Sequence, residues 1–390
     1  MSQPRIVCAN ISRSPSDPHA RVMDSHGLLR QYLVGTRRHT SGINPEIQRL
    51  FPLTGLIETL AQTMLPTYYA ESVRFASTPI FERWVLGQIK PGDHLLAGFG
   101  YLNRCLERIK SNGGVALLEA RNSHPGNLWS LMAEEYSRWD CQLPPVYPKH
   151  HMRQQRSVFL ADYIFSPAKF VTESFVSRGF PSDRVLDLPY PVDLRMFSPL
   201  AQPRPKDRPL TIINTGLLTL RKGTPYLLEA FEMVRKQVPN ARLLLTRGMA
   251  DNFEPLFRKR NWDRLPIEWA GRLPHGELCR RLQSADIFVM PSIEDGFALA
   301  VTEAMGCGLP VITTRNTGAV DCVKTGVTGS VVPIRNSAAI ADEILGWWEK
   351  IRKGEYDARQ PRFDPEAIST EAFAKRLVEL LRRIGLAGSQ

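Results

Sequence analysis

Residues 287–308 constrain the fold more than any other part of the chain: Ile-Phe-Val-Met-Pro-Ser-Ile-Glu-Asp-Gly-Phe-Ala-Leu-Ala-Val-Thr-Glu-Ala-Met-Gly-Cys-Gly. Residues 287–290 form a short apolar run, Pro291 closes it, and Gly296 follows two acids, Glu294 and Asp295. Good helix formers follow from Phe297 onward. This order predicts a buried parallel strand, a tight turn and a helix. Such a turn directs backbone N–H groups and the positive end of a helix dipole to the carboxyl edge of a parallel sheet, a site for anionic phosphate. Gly296, Phe297, Ala298 and Leu299 would supply the amides.

Two acids frame that turn, Asp295 before the helix and Glu303 inside it. A fully helical step between them would span about 12 Å, comparable to the distance from sugar to ribose in a nucleotide-sugar. A carboxylate accepts from a pair of hydroxyls, as the acid that holds ribose in dinucleotide folds does. Asp295 is also explained as a partner of the helix dipole. Glu303 is not, because it lies on a stripe of Ala, Val and Met where an unpaired carboxylate is costly to bury. The spacing therefore favours a sugar-nucleotide site over two structural acids.

The segment Pro-Ser-Ile-Glu-Asp-Gly-Phe-Ala-Leu-Ala-Val-Thr-Glu-Ala-Met-Gly-Cys-Gly-Leu-Pro-Val-Ile resembles the signature of the retaining GT-B glycosyltransferases of family GT4. That pattern is Glu, seven residues, Glu, then a small-residue Pro-Val-Ile strand. Its first acid falls on Asp295, one methylene shorter than the usual Glu, and its second on Glu303; Glu294 stands one residue out of register. The resemblance implies an α/β fold of two facing Rossmann-like domains, with parallel sheets flanked by helices and an interdomain cleft. It implies an acceptor-side domain over residues 1–200, a nucleotide-sugar-binding domain over 210–363, and a terminal segment, 364–390, packing back on the first domain.

The length of 390 residues agrees with two cores, and 43% apolar with 23% charged residues describes a globular protein. No apolar run is long enough for a transmembrane helix, and the N-terminus lacks a signal peptide's apolar core. Six scattered cysteines without a Cys-x-x-Cys predict reduced thiols in a cytoplasmic protein. The net charge of +11 is spread over both halves of the chain. It fits anionic nucleotide-sugars or an anionic membrane surface, whereas no basic stripe with interleaved aromatics marks a nucleic-acid partner.

In chain order, residues 5–9 read as a first strand and 21–33 as a helix. The loop between them has no glycine, where many GT4 members carry two. Residues 50–70 are apolar with few charges, and a core helix is expected there, with acceptor or membrane contact as the alternative. A strand at 114–119 runs into a loop that places His124 at its carboxyl end. In the resemblance, a histidine here faces the donor sugar. Its other reading is a loop cap or a partner of Glu119, and the two stand even. Residues 184–199 resemble the family's interdomain connector, and 199–209 form a proline-rich linker.

The second domain opens with a strand at 211–215 and the loop Gly216-Leu-Leu-Thr-Leu-Arg-Lys-Gly. Lys222 lies just before a helix, where a cation and amides can clamp a diphosphate. It matches the family's Lys. The usual Arg position holds Leu217, and Arg221 is the neighbouring candidate. Gly271 and Arg272 open a loop that the resemblance sets against the nucleobase. No metal motif occurs, and neither metal nor cofactor is expected; the nucleotide-sugar is the substrate.

The reading is a retaining transfer of sugar from a nucleotide-sugar to an acceptor hydroxyl in polysaccharide, glycolipid or other glycoconjugate biosynthesis. His124, Asp295 and Lys222 are the catalytic candidates. The acceptor is a saccharide, a lipid-linked species or a small molecule, with peripheral contact to the inner face of a membrane left open. The alternatives are a GT-B epimerase or hydrolase, and a non-catalytic nucleotide-sugar-binding module. Base, sugar, linkage and oligomeric state are not encoded in any motif.

Overall fold

A computed structural model describes residues 5–11, 17–65, 67–144, 146–200, 208–250, 252–357 and 368–388, apart from the side chains of 5, 62 and 67–71. Parts of four sequence-predicted segments lie outside the described residues: 12–16 of the first loop, 66 of the apolar stretch 50–70, 201–207 of the linker and 365–367 of the last helix. The chain divides into two compact units. The first holds residues 1–130, 143–190 and 371–390, and the second holds 131–142 and 191–370.

The first unit is built on seven strands: β1 (Arg5–Asn10), β2 (Leu29–Val34), β3 (Gln48–Leu50), β4 (Asp93–Gly98), β5 (Ala116–Glu119), β6 (Tyr163–Ser166) and β7 (Val185–Asp187). Their order is β3-β2-β1-β4-β5-β6-β7, and every pairing is parallel. Strands covered on both faces need continuous apolar sequence, and β5 shows it over residues 116–118 before its buried last residue, Glu119. The sheet core of Ile6, Cys8, Leu96, Leu117 and Phe165 also takes in Phe373, Leu377 and Leu381 of the helix Thr370–Arg383. Each such side chain contributes about 2 kcal/mol by leaving water.

The expected helix over 21–33 is corrected. The helix is Asp17–Ser25, and β2 follows it. Gly27 adopts φ +66°, and the Leu28 amide donates back to the Met23 carbonyl at 2.8 Å, which ends the helix. The helix expected in 50–70 is Pro52–Met64, yet it is not a core helix, because Leu53, Leu56, Leu60 and Met64 face solvent.

The second unit carries six strands: β8 (Thr211–Asn214), β9 (Arg242–Leu245), β10 (Ile267–Trp269), β11 (Ile287–Met290), β12 (Val311–Thr314) and β13 (Gly329–Val332). Their order is β10-β9-β8-β11-β12-β13, again all parallel. This is the doubly wound arrangement, and the winding reverses between β8 and β11. The loops leaving those two strands part in opposite directions, which opens a crevice at their carboxyl ends. Ile213, Phe288 and Met290 pack there with Val301, Ala304 and Met305 of the helix Leu299–Gly306.

Candidate functional site

The loop after β8 and the loop after β11 flank the switch point of the second unit, and hydrogen bonds from the Asn214 side chain and the backbone lock them together. The Asn214 amide donates to the Val289 carbonyl at 2.7 Å, and its Oδ1 accepts from the Gly216 N–H at 2.9 Å. The Ile293 N–H donates to the Arg221 carbonyl at 2.9 Å. Gly223 ends the first loop at φ +65°, and a Cβ there would stand 1.8 Å from the Pro291 carbonyl oxygen. Only glycine permits that approach, and it brings Lys222 beside the second loop.

The second loop does not enter its helix at Phe297. The Asp295 N–H donates to the Asn316 carbonyl, the Gly318 N–H donates to the Asp295 carbonyl, and the Ala319 N–H donates to the Phe297 carbonyl. These bonds hold residues 295–297 extended against the turn after β12, so the helix begins at Leu299. Ala298 stands at its N-cap in the left-handed region, φ +62°, a conformation that costs a non-glycine residue on the order of 1 kcal/mol. The distance of about 12 Å drawn from a fully helical step therefore does not describe Asp295 and Glu303. The amides of Leu299 and Ala300 open the helix, while that of Val301 already donates to the Ala298 carbonyl at 2.9 Å.

The charged residues of the two loops are paired. Lys222 Nζ donates to the Asp295 carboxylate, and Arg221 Nε donates to Glu294 Oε2 at 2.8 Å. Glu294 is wholly buried, whereas Lys222 and Asp295 keep some exposure. Burial favours the neutral form of Asp295, but Lys222, Arg221 and the Phe297 amide outweigh it and hold the carboxyl below its ordinary value.

Beside these loops lies a cavity of about 610 Å³, lined among others by Thr215, Arg247, Arg272, His275, Leu299 and Glu303. Glu303 enters from the second turn of the helix Leu299–Gly306. Burial pushes its carboxyl up to about 7, with Arg247 opposing. Thr215 Oγ1 lies at this wall, and Ser292 Oγ begins the loop after β11; both are buried without a hydrogen-bond partner. An orphaned buried hydroxyl costs about 1–3 kcal/mol, which a ligand hydroxyl or phosphate would recover.

Sequence reasoning missed Thr215, Thr246 and Arg247 as cavity residues, and reached His275 only as the end of the loop that the resemblance sets against the base. Position was the available signal: Thr215 and Thr246 each directly follow a strand whose carboxyl end faces the crevice. Gly271, at φ +67°, precedes Arg272 on the loop after β10. Leu217, at the position of the family's Arg, is 37% exposed and carries no charge to the site.

His124 belongs to the first unit, at the start of the helix Pro125–Arg138 after β5. Its Nδ1 accepts from the Gly126 N–H at 3.0 Å, and its own N–H donates to Ser174 Oγ at 2.8 Å. Burial, then Arg178 and His151, lower its pKa to about 4, so the ring is neutral at pH 7. Glu119, the alternative partner, instead accepts from Arg121 and from the Tyr190 hydroxyl. Among the described residues no group of three or more His, Cys, Asp or Glu is placed to hold a metal. No helix among them is long and apolar enough to cross a membrane.

Solved structures share this whole architecture. HepE from Anabaena, in complex with UDP and glucose, superposes with a TM-score of 0.68 at 13% identity, covering 98% of this chain and 100% of that one. Sucrose-phosphate synthase from Thermosynechococcus elongatus gives 0.63 at 18% identity, covering 98% and 99%. The two parallel sheets and their neighbours define the GT-B fold. Within that class, residues 209–350 match the family described as glycosyl transferases group 1.

Curated relatives align over about half of the chain. The GDP-mannose-dependent alpha-(1-6)-phosphatidylinositol monomannoside mannosyltransferase of Mycolicibacterium smegmatis is 29% identical over 201 residues, 47% of this chain and 52% of that protein. The D-inositol 3-phosphate glycosyltransferase of Pseudarthrobacter chlorophenolicus is 30% identical over 175 residues, 42% of each. The chain thus spans about half the length of these relatives.

Proposed function

We propose that this protein transfers a sugar from a nucleotide-sugar to an acceptor hydroxyl, with retention of configuration, in polysaccharide or glycolipid biosynthesis. The observation that carries the reading is the crevice at the β8/β11 switch point. There a cavity is lined by the helix start, Leu299 and Ala300, and by a partly buried acid, Glu303, and the half-buried Lys222 stands on the loop after the adjacent strand β8. Its match to a group 1 domain supports the same reading.

Ribose hydroxyls donate to Glu303, and the diphosphate lies over the amides that begin the helix at Leu299, with Lys222 as its cation. Asp295 accepts from hydroxyls of the sugar. As the bond to the anomeric carbon breaks, the diphosphate oxygen takes the electron pair, and Lys222 with the amides stabilises that charge. The acceptor oxygen forms the new bond, and its proton passes to the departing phosphate. Arg221 acts at one remove, by holding the buried Glu294 under the loop. No metal is required in this scheme. The acceptor is a saccharide or a lipid-linked species, and the protein works in peripheral contact with an anionic membrane surface.

Thermal shift against UDP, GDP, ADP, dTDP and their sugars, without added metal, tests the reading, because a ligand of the native state raises Tm by mass action. One nucleotide standing out, followed by acceptor-dependent release of its diphosphate, is the expected result. Absence of any shift overturns the reading. A shift with acceptor-independent consumption of donor would make the protein a hydrolase or an epimerase.

A further inference from the structure

The outer half of the cavity in the second unit carries two arginines without a hydrogen-bonded partner. Arg247 follows β9, Arg272 follows β10, and both line the cavity. Neither donates a hydrogen bond or joins an ion pair among the described residues. Elsewhere in the same unit Arg208, Arg221 and Arg335 are each held by a fully buried carboxylate, of Asp286, Glu294 and Glu135. Two guanidiniums left open on a cavity wall are donors waiting for an acceptor from outside the chain.

The strand order places them away from the phosphate end. Lys222 and the helix start at Leu299 stand on the loops of β8 and β11, at the switch point. Outward from β8 come β9 and then β10, so Arg247 stands roughly 5 Å and Arg272 roughly 10 Å along the sheet edge from the strand that carries Lys222. Arg247 acts on Glu303 through its charge. With ribose on Glu303, Arg247 stands beside the ribose, and the base lies farther out, against the loop that begins at Arg272.

That loop offers a base apolar surface and hydrogen-bond donors. Leu273, Pro274 and Leu278 give cover to a ring face, and Arg272 carries five N–H donors and no acceptor. Among the described residues of the wall, Glu303 is the only carboxylate, and no Asn or Gln stands there. The exocyclic amino group of adenine or cytosine would therefore meet donors. Guanine instead presents two adjacent acceptors, O6 and N7, which an arginine fork meets bidentately. Uracil and thymine offer O4 beside a carbon, so the fork engages them with one arm.

We propose that the donor nucleotide carries guanine and that Arg272 reads its O6 and N7 edge. The inference rests on the nucleotide-sugar reading of this site and adds the base to it.

Titration calorimetry of the full chain with GDP, IDP, UDP, dTDP and ADP is the test. IDP keeps O6 and N7 and lacks only the 2-amino group, which the proposed contact does not use. GDP and IDP should bind within about threefold of each other, and about tenfold or more tighter than the other three. Arg272→Ala should lose about tenfold or more for GDP and IDP and leave UDP nearly unchanged. Arg272→Lys should not restore the loss, because an ammonium keeps the charge without the fork. Both variants should keep the wild-type Tm, since the side chain is exposed. Tighter binding of UDP, dTDP or ADP overturns the proposal and leaves the transferase reading in place. So does an Arg272→Ala variant that weakens all the nucleotides alike, which would make the arginine a phosphate contact, and so does one that weakens none. Binding of no nucleotide at all sinks the transferase reading, and this inference with it.

Discussion

Lys222 and Asp295, on loops that leave the adjacent strands β8 and β11, are joined by an ion pair across the switch point. The lysine ammonium is thereby fixed where the winding of the sheet reverses, before any ligand arrives. A phosphate entering there meets a positioned cation and need not order a free side chain.

Removing one partner exposes the value of the pair. Lys222→Ala leaves the Asp295 carboxylate buried with Arg221 as a remaining cation, and about 3 kcal/mol of stability should be lost. Lys222→Met/Asp295→Leu should lose less than the sum of the single changes, because no unpaired charge remains. Nucleotide binding should disappear in both. Urea melts and nucleotide-induced Tm shifts measure the two effects, and strict additivity in the melts would show that the pair is not coupled.

The same pair sets an acid limit. The Asp295 carboxyl titrates below its ordinary value in the folded protein. Its contribution is therefore present above the unfolded value of about 3.9 and is lost as pH falls through the folded one. In Lys222→Ala the acid-unfolding midpoint should move to higher pH. A midpoint left in place would mean that other carboxylates govern acid unfolding.

Glu303 has the opposite sign. Its carboxyl is raised to about 7 by burial, so the folded protein favours the protonated form. The stability gained from that preference is complete below about pH 4 and is lost as pH rises through 7. Glu303→Gln should thus stabilise the ligand-free protein at pH 8, by on the order of 2 kcal/mol, and hardly at pH 4. Ribose hydroxyls need the carboxylate as acceptor. Nucleotide affinity should accordingly strengthen from pH 6 to pH 8 in the wild type, and this dependence should vanish in Glu303→Gln. An equal pH profile in both proteins would remove Glu303 from the binding site.

Strand, turn and helix at 287–308 were legible because each carries a local signal: a four-residue apolar run, a Pro, a Gly after two acids, then helix formers. The place of Lys222 just before a helix was legible in the same way, since Gly223 precedes a helix after a strand. The helix start was not legible. Competition from residues 316–319 for the backbone of 295–297 is a long-range effect, and propensity does not register it. Nor could spacing show that Glu294 would be buried under Arg221 while its neighbour Asp295 met Lys222. Arg247 and Thr215 escaped notice because a cavity wall is assembled from the ends of separate strands. The exposed leucines of Pro52–Met64 have the same origin: an apolar helix is a core helix only if another element covers it.

Gly223 tests how tightly the two loops must approach. Gly223→Ala places a methyl group against the Pro291 carbonyl oxygen and forces a non-glycine residue into the left-handed region. A loss of about 3 kcal/mol or more is expected in urea melts. Stability within a few tenths of wild type would mean that the loops can separate freely, and that the clamp is assembled by the ligand.

His124 can be separated into its two possible roles by one pair of substitutions. Its Nδ1 caps the helix Pro125–Arg138 by accepting from the Gly126 N–H, a task that an asparagine side chain also performs. Its Nε2 has no partner among the described residues and is the atom that would meet a substrate. His124→Ala should cost about 1 kcal/mol of stability, and His124→Asn should restore most of it. If the histidine only caps, turnover recovers together with stability in His124→Asn. If Nε2 touches the reacting sugar, turnover stays low in both variants while donor-induced Tm shifts survive, because an interaction made in the transition state lowers kcat without weakening ground-state binding. The ring is neutral across the working range, its pKa lowered to about 4, so neither outcome should change between pH 6 and pH 8. A turnover loss that titrates near pH 7 would instead belong to Glu303.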